Sequence, residues 1–108
     1  MRTVTLTTNL GLRLDVDIPD TRRERMRGLL RRERLPPGHA LLLERTRSVH
    51  TVGMRYPIMV ARLDRELRVL TVRRLRPGRL LLPRARVRHV LECPEGTQLS
   101  PGDRLLLP

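Results

Sequence analysis

The sequence predicts a β-dominated α+β domain, a curled sheet or partial barrel of short strands with one amphipathic helix in its N-terminal half. Three observations carry that prediction. Apolar and polar residues alternate at period two near the start of the chain, the pattern of strands with one wet face. Turn signals at Pro77-Gly78, Pro94-Glu95-Gly96 and Pro101-Gly102-Asp103 divide the second half into pieces too short for helices. Only one stretch combines helical apolar spacing with a helix-start signal. At 108 residues the chain makes one domain, 1–108.

A β-hairpin over residues 2–18 opens the chain. Val4 and Leu6 alternate with Thr3, Thr5 and Thr7, and Leu12, Leu14, Val16 and Ile18 alternate with Arg13, Asp15 and Asp17 after a turn at Asn9-Leu10-Gly11. Thr21-Arg22-Arg23-Glu24 is a capping box, and it predicts a helix over residues 22–32 with Met26, Leu29 and Leu30 on one face. Gly28 lies inside that helix at a cost of about 1 kcal/mol relative to Ala, which marks a close approach by another backbone. Pro36-Pro37-Gly38 closes the segment. Residues 40–43 are an apolar run. Residues 57–63 are apolar on both faces apart from Arg62, so they read as a buried central strand. Asp64-Arg65-Glu66 turns into a strand over 67–75, and short strands follow at 80–82, 87–93 and 104–107.

Composition narrows the function. The 23 basic residues are all Arg, against 11 acids, for a net charge of +12. Without Lys there is no Schiff-base lysine and no phosphate-binding Gly-Lys-Ser/Thr loop. One Cys excludes a disulfide framework or a thiolate zinc cluster, and one aromatic, Tyr56, excludes a base-stacking platform. Apolar runs of at most four residues exclude a membrane-spanning helix, so no membrane partner is expected. The first ten residues have no apolar leader core, and an unpaired Cys suits a reducing compartment. The expected location is cytoplasmic. Arg in place of every Lys is the mark of a GC-rich genome, and the scarcity of Asn and Gln also fits a thermophilic source.

The excess charge is localised. Residues 22–34 hold seven Arg and two Glu, residues 73–88 hold seven Arg and no acid, and the remainder balances. Arg22, Arg23, Arg31, Arg73, Arg74, Arg76, Arg84, Arg86 and Arg88 are therefore the nucleic-acid candidates, suited to the backbone of structured RNA rather than to base readout. A solvated Arg surface is the plainer reading of the same residues.

The order of several motifs is specific. Arg27-Gly28-Leu29-Leu30 precedes Pro37-Gly38-His39-Ala40-Leu41-Leu42. Then follow Ser48-Val49-His50-Thr51-Val52-Gly53-Met54-Arg55-Tyr56-Pro57-Ile58, Val90-Leu91-Glu92-Cys93-Pro94-Glu95-Gly96-Thr97 and Gly102-Asp103. From residue 22 to the C-terminus the chain resembles the bacterial and archaeal family known as domain of unknown function 192. The resemblance implies a small β-rich fold and no particular activity. Two positions depart from the family pattern. Met59 stands where an acid usually follows the Pro by two residues, and Cys93 stands where Leu usually follows Val-Leu-Glu. A function that needs the acid is not carried here.

His50, Thr51, Met54, Arg55 and Glu92 are the ligand-binding candidates, because the stretch around His50 is the most chemically varied in the chain. His50 offers a base, a ligand or an anion contact. The plainer reading has His50 pinning a loop and Met54 filling core, and it is favoured because no acid neighbours His50 in sequence. Glu92 interrupts an apolar strand. Either it orients His50, or, as the pattern favours, it forms a structural salt bridge on an outward face. A nucleophilic Cys93 is disfavoured, since His89 lies two pleats away, about 13 Å along the strand. The three His are too scattered for a metal site, and no catalytic residue, metal or cofactor is assigned. The first functional expectation is thus a non-catalytic accessory or ligand-binding domain with an anionic ligand. The second is an Arg-rich nucleic-acid binder, and the third a small hydrolase or transferase using His50.

Overall fold

The computed structural model describes residues 1–29 and 33–107. Strands β1 (Arg2–Thr8) and β2 (Arg13–Ile18) form the predicted hairpin, in register from Arg2 opposite Ile18 to Thr7 opposite Arg13. The alternation turns Leu6, Leu14, Val16 and Ile18 inward. On the wet face, Thr3 and Thr5 donate hydroxyl hydrogen bonds to Asp17 and Asp15 across the pair, at 2.9 and 3.2 Å. The Thr8 side chain accepts the Leu10 and Leu12 N–H groups and fixes the turn.

Strand β2 pairs in parallel with β3 (His39–Leu43), so residues 19–38 must cross over between them. That crossover holds α1 (Arg22–Arg27), opened by the predicted capping box: the Thr21 hydroxyl accepts the Glu24 N–H at 3.1 Å while Glu24 accepts the Thr21 N–H. The amphipathic helix over 22–32 is not what forms. α1 has six residues and buries none of them, and Met26 is 72% exposed. Leu29 is buried, but it lies beyond the helix end, and Leu30 falls outside the described residues. The physical reason is Gly28, which leaves the helix with φ 54 and ψ −132. That turn carries the Leu29 N–H to the carboxylate of Glu92, 63 residues away, at 3.1 Å. A close approach at Gly28 does occur, but the partner is the Glu92 side chain and not the backbone expected from the sequence.

The remaining strands are β4 (Val49–His50), β5 (Ile58–Leu63), β6 (Val69–Leu75), β7 (Leu80–Leu81), β8 (His89–Cys93) and β9 (Leu105–Leu106). Of the nine strands among the described residues, seven make one sheet in the order β6-β5-β8-β3-β2-β1-β9, and β4 pairs with β7 in a separate two-stranded sheet. The large sheet curls into a half-barrel. At one end its edges meet: the Val69 N–H donates to the Asp103 carbonyl and the Leu105 N–H to the Leu67 carbonyl. The buried Asp64 carboxylate holds the β5–β6 turn by accepting the Glu66 and Arg68 N–H groups. Burial pushes its pKa up, but those two donors and the Arg68 and Arg86 charges outweigh burial and leave it below the ordinary value.

Two apolar layers follow from the curl. The first lies inside it, among Leu6, Leu14, Val16, Ala40, Leu42, Ala61, Leu63, Leu91 and Cys93. The second lies on the outer face of β3, β8, β5 and β6, where Leu41, Leu43, Val90, Ile58, Val60 and Leu75 are covered by Leu29, Val49, Met54 and Leu81. Strands β3 and β5 are therefore buried on both faces, which is why their sequences run apolar without alternation. Glu92 sits within the second layer between Leu41 and Val60, at 2% exposure, so the face that the sequence pattern reads as solvent-facing is covered there.

Gly28 cannot be replaced without cost. A Cβ there would lie 2.7 Å from Glu92 Oε1, at backbone angles open only to glycine. Gly28→Ala is expected to destabilise the domain by about 1–3 kcal/mol, read as a lower urea midpoint with unchanged slope.

Candidate functional site

A cleft of about 410 Å³ opens where the end of α1 faces the chain leaving β3. Its apolar surface comes from Leu29, Leu43, Val49, Met54 and Leu80, and Glu92 lies at its base. Five arginines line it, Arg22, Arg25 and Arg27 from α1 and Arg45 and Arg47 from the segment between β3 and β4. His50 stands on the wall, exposed, on a two-residue strand paired with Leu80.

The structure brings His50, Met54 and Glu92 to one cleft and leaves Thr51 and Arg55 off its lining. Thr51 is fully buried. Its hydroxyl donates to the Arg76 carbonyl at 2.6 Å and accepts the Arg79 N–H at 2.9 Å, while its backbone bonds Arg79 and Gly78. Thr51 thus staples the turn that carries β7 to the stretch that carries β4. Arg55 is exposed. Met54 is core and cleft wall together, at 9% exposure. No hydrogen bond joins the His50 ring to Glu92, whose Oε1 takes the Leu29 N–H. The Cys93 thiol is buried, and burial together with the Glu92 charge pushes its pKa up to about 12, so it stays protonated and unreactive. Met59, at the position of the family's usual acid, is half-buried in β5 opposite Arg74 and Cys93.

Of the Arg candidates, Arg22 reaches the cleft and Arg23 is exposed on α1. Arg73 and Arg74 lie on β6 and Arg76 just after it, and Arg74 is ion-paired with Glu95. Arg84 and Arg86 lie between β7 and β8, and Arg31 falls outside the described residues. Arg88 shares a second depression with Arg45, Arg47, Arg65 and His89. Arg45 and Arg47 thus belong to both depressions and link the α1 cations to Arg88. Neither was singled out by sequence, because they sit where the charge balances. Their signal lay only in the spacing from Leu43 to His50. Among the described residues no cluster of His, Cys, Asp and Glu has the makings of a metal site.

Arg45 adopts the left-handed conformation, φ 53, and its N–H donates to His89 Nδ1 at 3.1 Å. That bond requires an unprotonated Nδ1. Burial holds the His89 pKa below the ordinary 6.5. Glu44 and Asp64 pull it up, and Arg45 and Arg88 push it down. A neutral ring therefore anchors the loop that presents Arg45 and Arg47.

Fold and cleft together define a small β-dominated half-barrel domain. The match to the DUF192 family model, described as Uncharacterized ACR, spans residues 3–107, and the chain belongs to that family. The match includes the hairpin that the motif resemblance leaves out. No curated protein matches the chain. Two solved structures superpose with TM-scores of 0.80. One is a protein of unknown function from Novosphingobium aromaticivorans, 20% identical, matched over 95% of this chain and 82% of that one. The other is a "putative transcription regulator" from Sinorhizobium meliloti, 28% identical, matched over 95% of this chain and 90% of that one. No helix among the described residues is long and apolar enough to cross a membrane.

The sign of the His89 effect is fixed by its depressed pKa. Its contribution is complete above about pH 6.5 and is lost as the pH falls below that value, because the unfolded chain takes up the proton first. Urea midpoints at about pH 7.5 and pH 5.5 are expected to drop more for the wild type than for His89→Gln.

Proposed function

We propose that this domain is a non-catalytic binding module whose cleft takes a small molecule with an anionic group and an apolar body. The observation that supports it is the meeting of Arg25 and Arg27 with Arg45 and Arg47, from two distant segments, around an apolar surface of Leu29, Leu43, Val49 and Met54. The volume of about 410 Å³ is that of a small-molecule site, and its mix of apolar lining with a few charged groups is typical of one. His50 on the wall adds an anion contact. A hydrolytic role for His50 is less well supported, because no hydrogen bond from the described residues orients its ring and the Glu92 carboxylate is engaged with the backbone.

A second reading, binding to the backbone of structured RNA or duplex DNA, draws on the band from Arg25 and Arg27 through Arg45 and Arg47 to Arg65 and Arg88. The description of the Sinorhizobium meliloti relative agrees with it. Duplex affinity that survives about 150–200 mM salt supports this reading, and collapse in that range rejects it.

For the cleft, octanoate carries both required features, and its binding is read by titration calorimetry. Saturable one-to-one binding is expected, weakened about tenfold or more by Arg27→Ala or Arg45→Ala through the lost charged hydrogen bond. No saturable binding, or equal affinity in both variants, contradicts the proposal.

A further inference from the structure

Arg62 interrupts an otherwise apolar strand, and the fold buries it to 4% exposure. Charged side chains at such burial are normally paired with an opposite charge, because taking a lone charge out of water is costly. Here Nε donates to Thr71 Oγ1 at 2.9 Å and Nη1 to the Leu82 carbonyl at 3.2 Å, both neutral acceptors. No carboxylate among the described residues pairs with it. Nη2 makes no bond to a described residue, and no fully buried side-chain nitrogen among the described residues lacks a partner, so Nη2 keeps some opening to solvent.

What surrounds that opening is more positive charge. Arg62 lies opposite Thr71 and Val60 opposite Arg73, so Arg62 and Arg73 are diagonal neighbours on one face of the β5–β6 pair. Leu82, which anchors Nη1, is two residues from Arg84. Arg73 and Arg84 are both exposed. Burial first, and then the Arg84 and Arg73 charges, lower the pKa of Arg62 from its ordinary value, which agrees with their closeness. Glu92 is the diagonal neighbour of Arg62 across the β5–β8 pair, but its carboxylate takes the Leu29 N–H and does not pair with Arg62. The three cations repel one another, and an anion seated among them turns that repulsion into attraction. Fixed donors on a guanidinium already held by Thr71 and Leu82 lose little freedom on binding.

We infer that Arg62, Arg73 and Arg84 form a receptor for a single tetrahedral dianion of the phosphate or sulfate class. Three cations match a doubly charged ligand better than a monocarboxylate, and Arg suits phosphate oxygens in particular. The site is separate from the cleft, none of whose lining residues it uses. Its failure leaves the cleft proposal standing, and the reverse holds as well.

The test is titration calorimetry with inorganic phosphate at constant ionic strength in chloride. One-to-one saturable binding is expected. Arg73→Ala and Arg84→Ala should each weaken it about tenfold or more, as loss of a charge-assisted hydrogen bond does, and Arg62→Met should abolish it. Arg13→Ala removes the same charge from an exposed position on β2 and should leave affinity unchanged. If Arg62→Met does not fold, the two exposed variants carry the test alone. Added duplex RNA without terminal phosphates separates the sources. Displacement of phosphate shows that the site accepts a nucleic-acid backbone, and no displacement shows that it takes free phosphate or its monoesters. Heats that never saturate, or equal weakening by Arg13→Ala and Arg84→Ala, overturn the inference.

Discussion

The hydrogen bond from the Leu29 N–H to the Glu92 carboxylate organises this domain. A parallel β2–β3 pair forces a long crossover, and the outer face of β3, β8, β5 and β6 needs a cover. A longer amphipathic helix is the usual solution. Here the helix has six residues, none of them buried, and the cover is a turn: Gly28 leaves the helical path, Leu29 drops into the apolar layer, and its N–H meets a carboxylate rising from the centre of the sheet. A buried carboxylate is tolerable only when hydrogen-bonded, so the sheet and the crossover depend on each other. The absence of a side chain at residue 28 is what lets them meet.

The cleft follows from that arrangement. Because the cover is a turn and not a continuous helix, a gap remains between the end of α1 and the segment leaving β3, with Glu92 at its base. Opposite walls are held by separate devices. His89 accepts the Arg45 N–H on one side, and Thr51 staples β4 to the turn preceding β7 on the other. Each device is a backbone bond to a buried or half-buried side chain, which fixes the loops without using the guanidinium groups. Arg27 and Arg45 stay exposed to solvent and ligand, while Arg47 Nη2 also donates to the Arg84 carbonyl at 3.2 Å.

Much of this was legible in the sequence where the governing interactions are local. The hairpin alternation, the capping box at Thr21 and Glu24, the turn at Asp64 and the apolar runs of β3 and β5 all fold as their patterns require. The helix failed where a contact 63 residues away overrode local spacing. Gly28 signalled the close approach, but nothing nearby in sequence named Glu92 as its partner. The same distance effect hid the cleft. The chemistry of His50, Met54 and Glu92 marks them in the sequence, whereas Arg45 and Arg47 read as ordinary surface charge until the fold sets them opposite α1. Thr51 stands beside His50 in the sequence, yet its hydroxyl is consumed by the backbone, which depends on where residues 76–79 return. Arg62 stood out as the one charge in an apolar strand, and only the cross-strand register placed Arg73 beside it.

The central claim is that Leu29 is tied to the sheet although it belongs to no helix or strand. Native-state hydrogen exchange of the Leu29 amide tests this most directly. The account predicts exchange only through global unfolding, as slow as the amides of β3 and β8 and following overall stability as denaturant is added. Exchange at the rate of an exposed turn amide, independent of global stability, would contradict it.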